Sequence, residues 1–223
     1  MPRLNSHQLR KSRVGLPADK TQHQSCSNRT EKTDAKLRQG SQSKLNSHQL
    51  RSSKPNEAKI TRNRFPRHPL VLVLDNVQDT YNIGSFFRLA DALAVQKIYL
   101  CGPVVTPPNI KIHRASIGTW KFVDWENPPS TADCLRQLKN QGYQIVACEQ
   151  TAKSINFLKA KYRFPVAIIA GSESSGISSE VLELADRVVE IPMYGVNKSL
   201  NVLVATSVIG FHLAGQHNLP NNR

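Results

Sequence analysis

The chain has 223 residues, enough for one large or two small domains, and a formal net charge of +14 that is distributed unevenly. Residues 1–68 contain 16 Lys and Arg against 4 Asp and Glu, whereas residues 69–223 contain 14 against 12. No apolar run approaches the roughly 18 residues of a membrane span, and no apolar signal-peptide core follows Met1. The composition therefore predicts a soluble protein, with no membrane partner, whose basic N-terminal part attracts a polyanion.

The four cysteines, Cys26, Cys101, Cys134 and Cys148, are far apart and include no Cys-x-x-Cys pair. The seven histidines include no pair at metal-ligand spacing. We therefore expect reduced thiols and no metal site. A cytoplasmic location is the simplest expectation.

Residues 1–66 are rich in Ser, Gln, Asn, Lys and Arg, so they are predicted to form a disordered basic tail. The tail contains an identical repeat, LNSHQLR, at residues 4–10 and 45–51. One interpretation is a solvated tail. Another is non-specific attraction to RNA phosphates, with the two copies forming short helices on a partner. An Arg- and Ser-rich, acid-poor beginning is also typical of an organelle transit peptide, which is a third interpretation.

From residue 69 the chain alternates strands and helices, which favours a mainly parallel sheet with helices on both faces. Strands are predicted at residues 70–74, 97–102, 122–125, 144–148, 166–170 and 188–193. Helices are predicted from residue 82 to about 93, and at 109–118, 131–140, 177–186 and 200–214. Residues 153–163 are basic and poorly patterned, and are assigned only to a helix or a loop.

The helix after the first strand carries the first candidate site residues. Asn82 is predicted to cap this helix. Arg88 falls outside its buried stripe, so the side chain can reach over the helix mouth, where the ligand crevice of a parallel sheet lies. The alternative is a surface ion pair between Arg88 and Asp79 or Asp91.

Two apolar strands near the C terminus each end in a loop of small residues. The first loop, GSESSG at residues 171–176, has a glycine at each end and one carboxylate, that of Glu173. It lacks the Lys-Ser/Thr of a P-loop and the Gly-x-Ser-x-Gly order of a hydrolase elbow. The second loop leads to Ser199, a candidate N-cap, and to Asn201 at the mouth of an apolar last helix. We expect the two strands to be adjacent, so that both loops hold one cofactor.

The helix predicted at 109–118 has a basic face. Lys111, His113 and Arg114 lie on it, and Lys121 lies just past its end. Such a face suits RNA phosphates, although an ordinary solvated helix explains it equally well. Lys198, in the loop before the last helix, is a further candidate for RNA contact.

Three blocks of sequence, in order, carry a family resemblance. They are NIGSFFR at residues 82–88, GSESSG at 171–176, and IPMYG at 191–195 followed by SLNV at 199–202. The set resembles that of the SpoU/TrmH RNA ribose 2′-O-methyltransferases of the SPOUT class. The chain departs from many relatives at Lys198 and Leu203. The resemblance implies a deep C-terminal trefoil knot, a rare feature that nothing else in the sequence predicts.

The resemblance also implies a chemistry. The methyl group of S-adenosylmethionine would pass to a ribose 2′-hydroxyl by in-line displacement, which needs alignment and a proton sink but no metal. The positions implied for the cofactor are Gly171, Ile191, Met193 and Leu200. The positions implied for catalysis are Asn82, Arg88, Glu173, Ser199 and Asn201. Electrostatic activation is favoured for Arg88, because a guanidinium stays protonated far above neutral pH.

The implied domain spans residues 67–216, followed by a short polar tail at 217–223. Its implied substrate is RNA, with tRNA slightly favoured over rRNA, and its implied assembly is a homodimer, which the apolar last helix suits. The alternative is a non-catalytic RNA-binding or ribosome-assembly factor that retains the fold. Binding of S-adenosylmethionine and transfer of labelled methyl to bulk RNA distinguish the two.

Overall fold

Seven parallel strands form one sheet in the computed structural model, which describes residues 44–217. The strands are β1 (His68–Asp75), β2 (Val95–Cys101), β3 (Asp124–Glu126), β4 (Gln144–Cys148), β5 (Ile155–Asn156), β6 (Val166–Ala170) and β7 (Arg187–Glu190). Their order across the sheet is β3-β2-β1-β6-β4-β7-β5, and every neighbouring pair is parallel. The predicted parallel sheet is confirmed.

Two helices precede the sheet, four lie between its strands, and one follows the last strand, within the part of the chain that the structure describes. They are α1 (Ser47–Ser52), α2 (Pro55–Arg62), α3 (Thr80–Ala92), α4 (Ile110–Ser116), α5 (Thr131–Asn140), α6 (Ser179–Glu183) and α7 (Val202–Gln216). Within residues 44–217, none of them is long and apolar enough to cross a bilayer.

Alternate residues of the strands pack against opposite layers of helices, as expected for a two-residue period. In β1, Leu70 and Leu72 belong to a core shared with α3 and α7. Val71 and Val73 belong to a second core shared with α5 and α6. Helices therefore cover both faces, as predicted, and both faces of the central strands are apolar.

Two helix starts differ from the sequence prediction. Asp79, rather than Asn82, caps α3, and its carboxylate accepts from the amides of Tyr81 and Asn82 at 2.6 and 3.3 Å. Asn201, rather than Ser199, caps α7. In each helix the cap is the residue whose oxygen reaches the free amides of the first turn. The side chain of Asn82 is consequently free to bond elsewhere.

The segment before the sheet also differs from its predicted disorder, because residues 47–62 form α1 and α2. Asn46 and Gln49 exchange side-chain-to-backbone hydrogen bonds of 3.0 and 2.8 Å at the start of α1. Ala58 of α2 is fully buried, and Arg62 forms an ion pair with Asp124 of β3. Composition does not anticipate a basic segment that docks on a surface built by later residues. Residues 1–43, which include the first repeat copy, and 218–223 lie outside the described part.

β6 and β7 are not adjacent, contrary to the prediction, because β4 lies between them. As a result, the loop that follows β4 lies between the two loops that were predicted to hold a cofactor.

Candidate active site

The carboxyl ends of β4, β6 and β7 surround a hollow of about 500 Å³. This is the edge at which parallel α/β sheets bind ligands, and the size is that of a small-molecule site. The residues placed around it include Gly171, Ile191, Met193 and Leu200, the four positions expected to hold a cofactor.

The loop after β6 is closed on itself by backbone hydrogen bonds. The amide of Ser172 donates to the carbonyl of Gly176 at 3.1 Å, and the amide of Gly176 donates back at 2.9 Å. A Cβ on Gly171 would collide with the backbone of Gly176 and Ile177. Gly176 itself has φ of +66°, a conformation that glycine adopts without steric penalty. Both glycines are therefore needed for this turn.

Glu149, at the end of β4, supports the same loop and was not identified from the sequence. One carboxylate oxygen accepts from the amide of Ile177 and the other from the amide of Gln150, both at 3.0 Å. A Cβ on Gly176 would lie 2.5 Å from the Glu149 carboxylate. Glu149 thus supports the loop through a hydrogen bond and also lines the hollow. An isolated Glu after an apolar strand carries no sequence signal for this role.

Three of the predicted catalytic residues form one hydrogen-bonded network across the three sequence blocks. The side-chain amide of Asn82 donates to Glu173 at 2.5 Å, and that of Asn201 donates to the oxygen of Asn82 at 3.4 Å. The Asn201 oxygen accepts from the amides of Leu203 and Val204 as the cap of α7. The network therefore ties the starts of α3 and α7 to the loop after β6.

The two remaining catalytic candidates occupy different places. Ser199 lines the hollow. Arg88 is exposed on α3 and lies outside the lining of the hollow. Among residues 44–217 its side chain has no ion pair or hydrogen bond, so the alternative pairing with Asp79 or Asp91 is not observed there. Its guanidinium remains available for an anion.

Cys148 is the one cysteine that lines the hollow. Burial, reinforced by the charge of Glu149, raises the pKa of this thiol to about 12. It is therefore protonated near neutral pH and unsuited to be a nucleophile or a metal ligand. In the described part of the chain, no three His, Cys, Asp or Glu side chains come together as a metal-binding group.

The residues expected to contact RNA lie on two elements. Lys111 and Arg114 are exposed on α4, and Lys198 is exposed in the loop before α7. His113 is partly buried, and its Nδ1 accepts from the indole of Trp120 at 3.1 Å. Burial, together with the charges of Lys121 and Arg51, lowers the pKa of His113. Near neutral pH its geometry therefore favours a neutral ring that orients Trp120.

A parallel sheet with a ligand hollow at its strand ends and a polar network beside it defines a cofactor-binding α/β protein. Sequence comparison then gives the family. The model of the SpoU rRNA Methylase family matches residues 69–211. The chain belongs to this family, and the resemblance noted from the three blocks is confirmed.

Individual relatives and structures agree with this assignment. The tRNA (guanosine(18)-2′-O)-methyltransferase of Aquifex aeolicus is 36% identical over 141 residues, which are 63% of this chain and 66% of that protein. The protein of the same name from Thermus thermophilus is 32% identical over 157 residues, covering 70% and 79%. The AdoMet-bound rRNA methyltransferase of Sinorhizobium meliloti superposes with a TM-score of 0.63 at 28% identity, covering 77% of this chain and 61% of that one. The chain thus spans slightly under two thirds of the first and last of these.

Proposed function

We propose that the chain is an S-adenosylmethionine-dependent RNA methyltransferase that modifies a ribose 2′-hydroxyl. The observation that carries the proposal is the network of Asn82, Glu173 and Asn201, which joins three separate sequence blocks beside the hollow. A non-catalytic RNA-binding protein with the same fold would not need this network of side chains beside the hollow.

The hollow suits the cofactor. Backbone groups at Gly171, Ile191 and Leu200 offer hydrogen bonds to an adenine edge, and the side chains of Ile191, Met193 and Val202 offer apolar cover. The related Sinorhizobium structure holds AdoMet. When bound, this cofactor supplies an activated methyl group on a positively charged sulfur.

The reaction requires little from the side chains beyond alignment and charge. With the cofactor bound, the 2′-oxygen would displace the sulfur from the methyl carbon, and the hydroxyl proton would leave to solvent ahead of that attack. Arg88 would place a positive charge near the phosphate of the acceptor nucleotide and near the negative charge that develops on the 2′-oxygen as its proton leaves. Asn82, Glu173 and Asn201 hold the starts of α3 and α7 against the loop after β6. Ser199, which lines the hollow, would orient the ribose.

The first test is Arg88→Ala. Methyl transfer to RNA should fall at least about 100-fold, because a charge that acts in the transition state is lost. Affinity for S-adenosylmethionine should stay unchanged, because Arg88 lies outside the hollow. Both are measured with labelled methyl transfer and calorimetry.

Arg136→Ala is the matched control, since Arg136 is an exposed arginine whose partners are Asp133 and Glu180. Its activity should equal that of the wild type. Unchanged turnover in Arg88→Ala would remove Arg88 from the mechanism.

For the substrate, we propose tRNA in preference to rRNA, as in the Aquifex and Thermus relatives named for tRNA. Transfer of labelled methyl to tRNA but not to rRNA, followed by mapping of the modified ribose, tests this choice. A non-catalytic RNA-binding factor would bind RNA and transfer nothing.

The proposal extends to assembly and topology. Val204, Val208 and Phe211 form an exposed apolar stripe on α7, and we propose that a second copy of the chain covers it. The trefoil knot, which only the family resemblance implies, and a cytoplasmic location belong to the same proposal.

A further inference from the structure

α1 contains most of the second copy of the LNSHQLR repeat, and it precedes the residues that match the family. It is nevertheless fixed to the methyltransferase core. The ammonium of Lys121 donates to the carbonyls of Arg51 and Ser53, both at 2.8 Å. These carbonyls lie at the C-terminal end of α1, where free acceptors and the helix dipole favour a cation.

A glycine permits the close approach of α1. Gly118 follows α4 with φ of +84°, and a Cβ there would lie 2.6 Å from the carbonyl oxygen of Leu50. Any other residue at 118 would therefore push α1 away as well as strain the backbone. The loop after α4 is thus built to receive the repeat.

The same kind of contact joins α4 to α3. A Cβ on Gly84 would lie 2.6 Å from the Cβ of Ala115 and 2.8 Å from the carbonyl oxygen of Ile112. Arg88 lies one helical turn beyond Gly84. α1, α4 and the helix that carries the proposed catalytic arginine are consequently consecutive parts of one packed surface.

Positive charge accumulates along this surface. Arg51, Lys111 and Arg114 are exposed and have no ion pair among residues 44–217. Arg51 and Lys121 are close enough to His113 to lower its pKa, after the larger effect of burial. Two carboxylates of β3, those of Asp124 and Glu126, are paired with Arg62 and Lys97.

We propose that α1 is a docking element for the RNA backbone, which Gly118 and Lys121 hold beside α4 so that Arg51 extends the basic face of Lys111 and Arg114. The inference rests on the proposed function and assigns its partner-binding surface. Contacts of this kind release counterions and position the RNA without reading its bases. They add affinity and register for a substrate whose ribose is presented to Arg88.

The charge is tested with Arg51→Glu in the full-length chain. Binding of total tRNA should weaken about 3- to 10-fold at low salt. The plot of log affinity against log salt concentration should become shallower, its negative slope decreasing in magnitude by about one. The KM for RNA should rise while affinity for S-adenosylmethionine stays constant. Filter binding over a salt series and methyl-transfer kinetics give these values.

Lys161→Glu is the matched control. Lys161 is exposed in the segment after β5, at the opposite edge of the sheet from β3, and the substitution changes net charge equally. An equal loss of affinity in both variants, or none in Arg51→Glu, would overturn the inference. If wild-type protein binds RNA but transfers no methyl, the proposed function fails while the docking surface stands.

The docking is tested with Gly118→Ala. Amide hydrogen exchange in α1 should accelerate, and the KM for RNA should rise as in Arg51→Glu. Exchange that accelerates without any change in RNA binding would show that α1 is only a structural appendage, and would overturn the inference.

Discussion

Glu149 shows how one side chain can organise a site without a motif of its own. Its carboxylate lines the hollow and accepts a hydrogen bond from the amide of Ile177, the first residue after the loop at 171–176. A carboxylate there has two consequences. It holds the loop that would contact the cofactor, and it places negative charge in a hollow that would receive a positively charged sulfur.

We expect Glu149→Ala to weaken binding of S-adenosylmethionine at least about 10-fold, because the amide of Ile177 loses its acceptor. Glu149→Gln keeps an acceptor oxygen but loses the charge. It should therefore weaken binding of S-adenosylmethionine more than that of the uncharged product, S-adenosylhomocysteine. Calorimetry with both ligands measures the difference.

Glu183→Gln, at an exposed position on α6, serves as the control and should bind both ligands normally. If Glu149→Gln lowers affinity for both ligands by the same factor, the carboxylate acts only through the loop.

At the scale of elements, two helix contacts depend on glycine to different extents. Gly84 of α3 faces the backbone carbonyl of Ile112 and the Cβ of Ala115. Gly210 of α7 faces only the flexible end of Leu93, whose nearest atom would lie 2.6 Å from an added Cβ. The first neighbour cannot move without displacing α4, whereas the second can change rotamer.

Gly84→Ala should therefore lower the free energy of unfolding by about 1–3 kcal/mol, since overpacking against backbone is not relieved locally. Gly210→Ala should be near neutral, because a gain in helix propensity of up to about 1 kcal/mol offsets the adjustment of Leu93. Denaturant unfolding of both variants measures the two values. Equal destabilisation by both substitutions would contradict this assignment of the α3–α4 contact.

At the scale of the whole molecule, the most conspicuous feature is the uncovered face of α7. Phe211 is 55% exposed and Val204 is 46% exposed, although α7 packs its other side into the core. An apolar stripe on the helix that also carries Asn201 at its start suits an interface that stabilises the site.

Phe211→Asp should convert the proposed dimer into a monomer, because a symmetric interface would bury the new charge twice. Sedimentation equilibrium gives the mass. Leu158→Asp replaces an apolar side chain of similar exposure, 62% accessible, in the segment after β5 and should leave the mass unchanged. A monomeric wild type would refute assembly through α7.

The predictions made from sequence succeeded where the signal was local. The apolar runs at β4 and β6 and the amphipathic pattern at α5 have the predicted bounds. The predicted helix starts were wrong where two nearby residues can both serve as the N-cap, as Asp79 and Asn82 can. The predictions failed also for α1 and α2, because their stability depends on a docking surface that composition does not describe.

The sequence by itself determined the parallel sheet and the family, and it identified the three blocks whose Asn82, Glu173 and Asn201 are hydrogen-bonded in the structure. These follow from hydrophobic period and from residue types whose chemistry is local. Only the tertiary structure decided that β4 lies between β6 and β7, that Glu149 therefore enters the site, and that the repeat docks beside α4. Strand order and docking depend on contacts between distant residues, whose free energy no local pattern records.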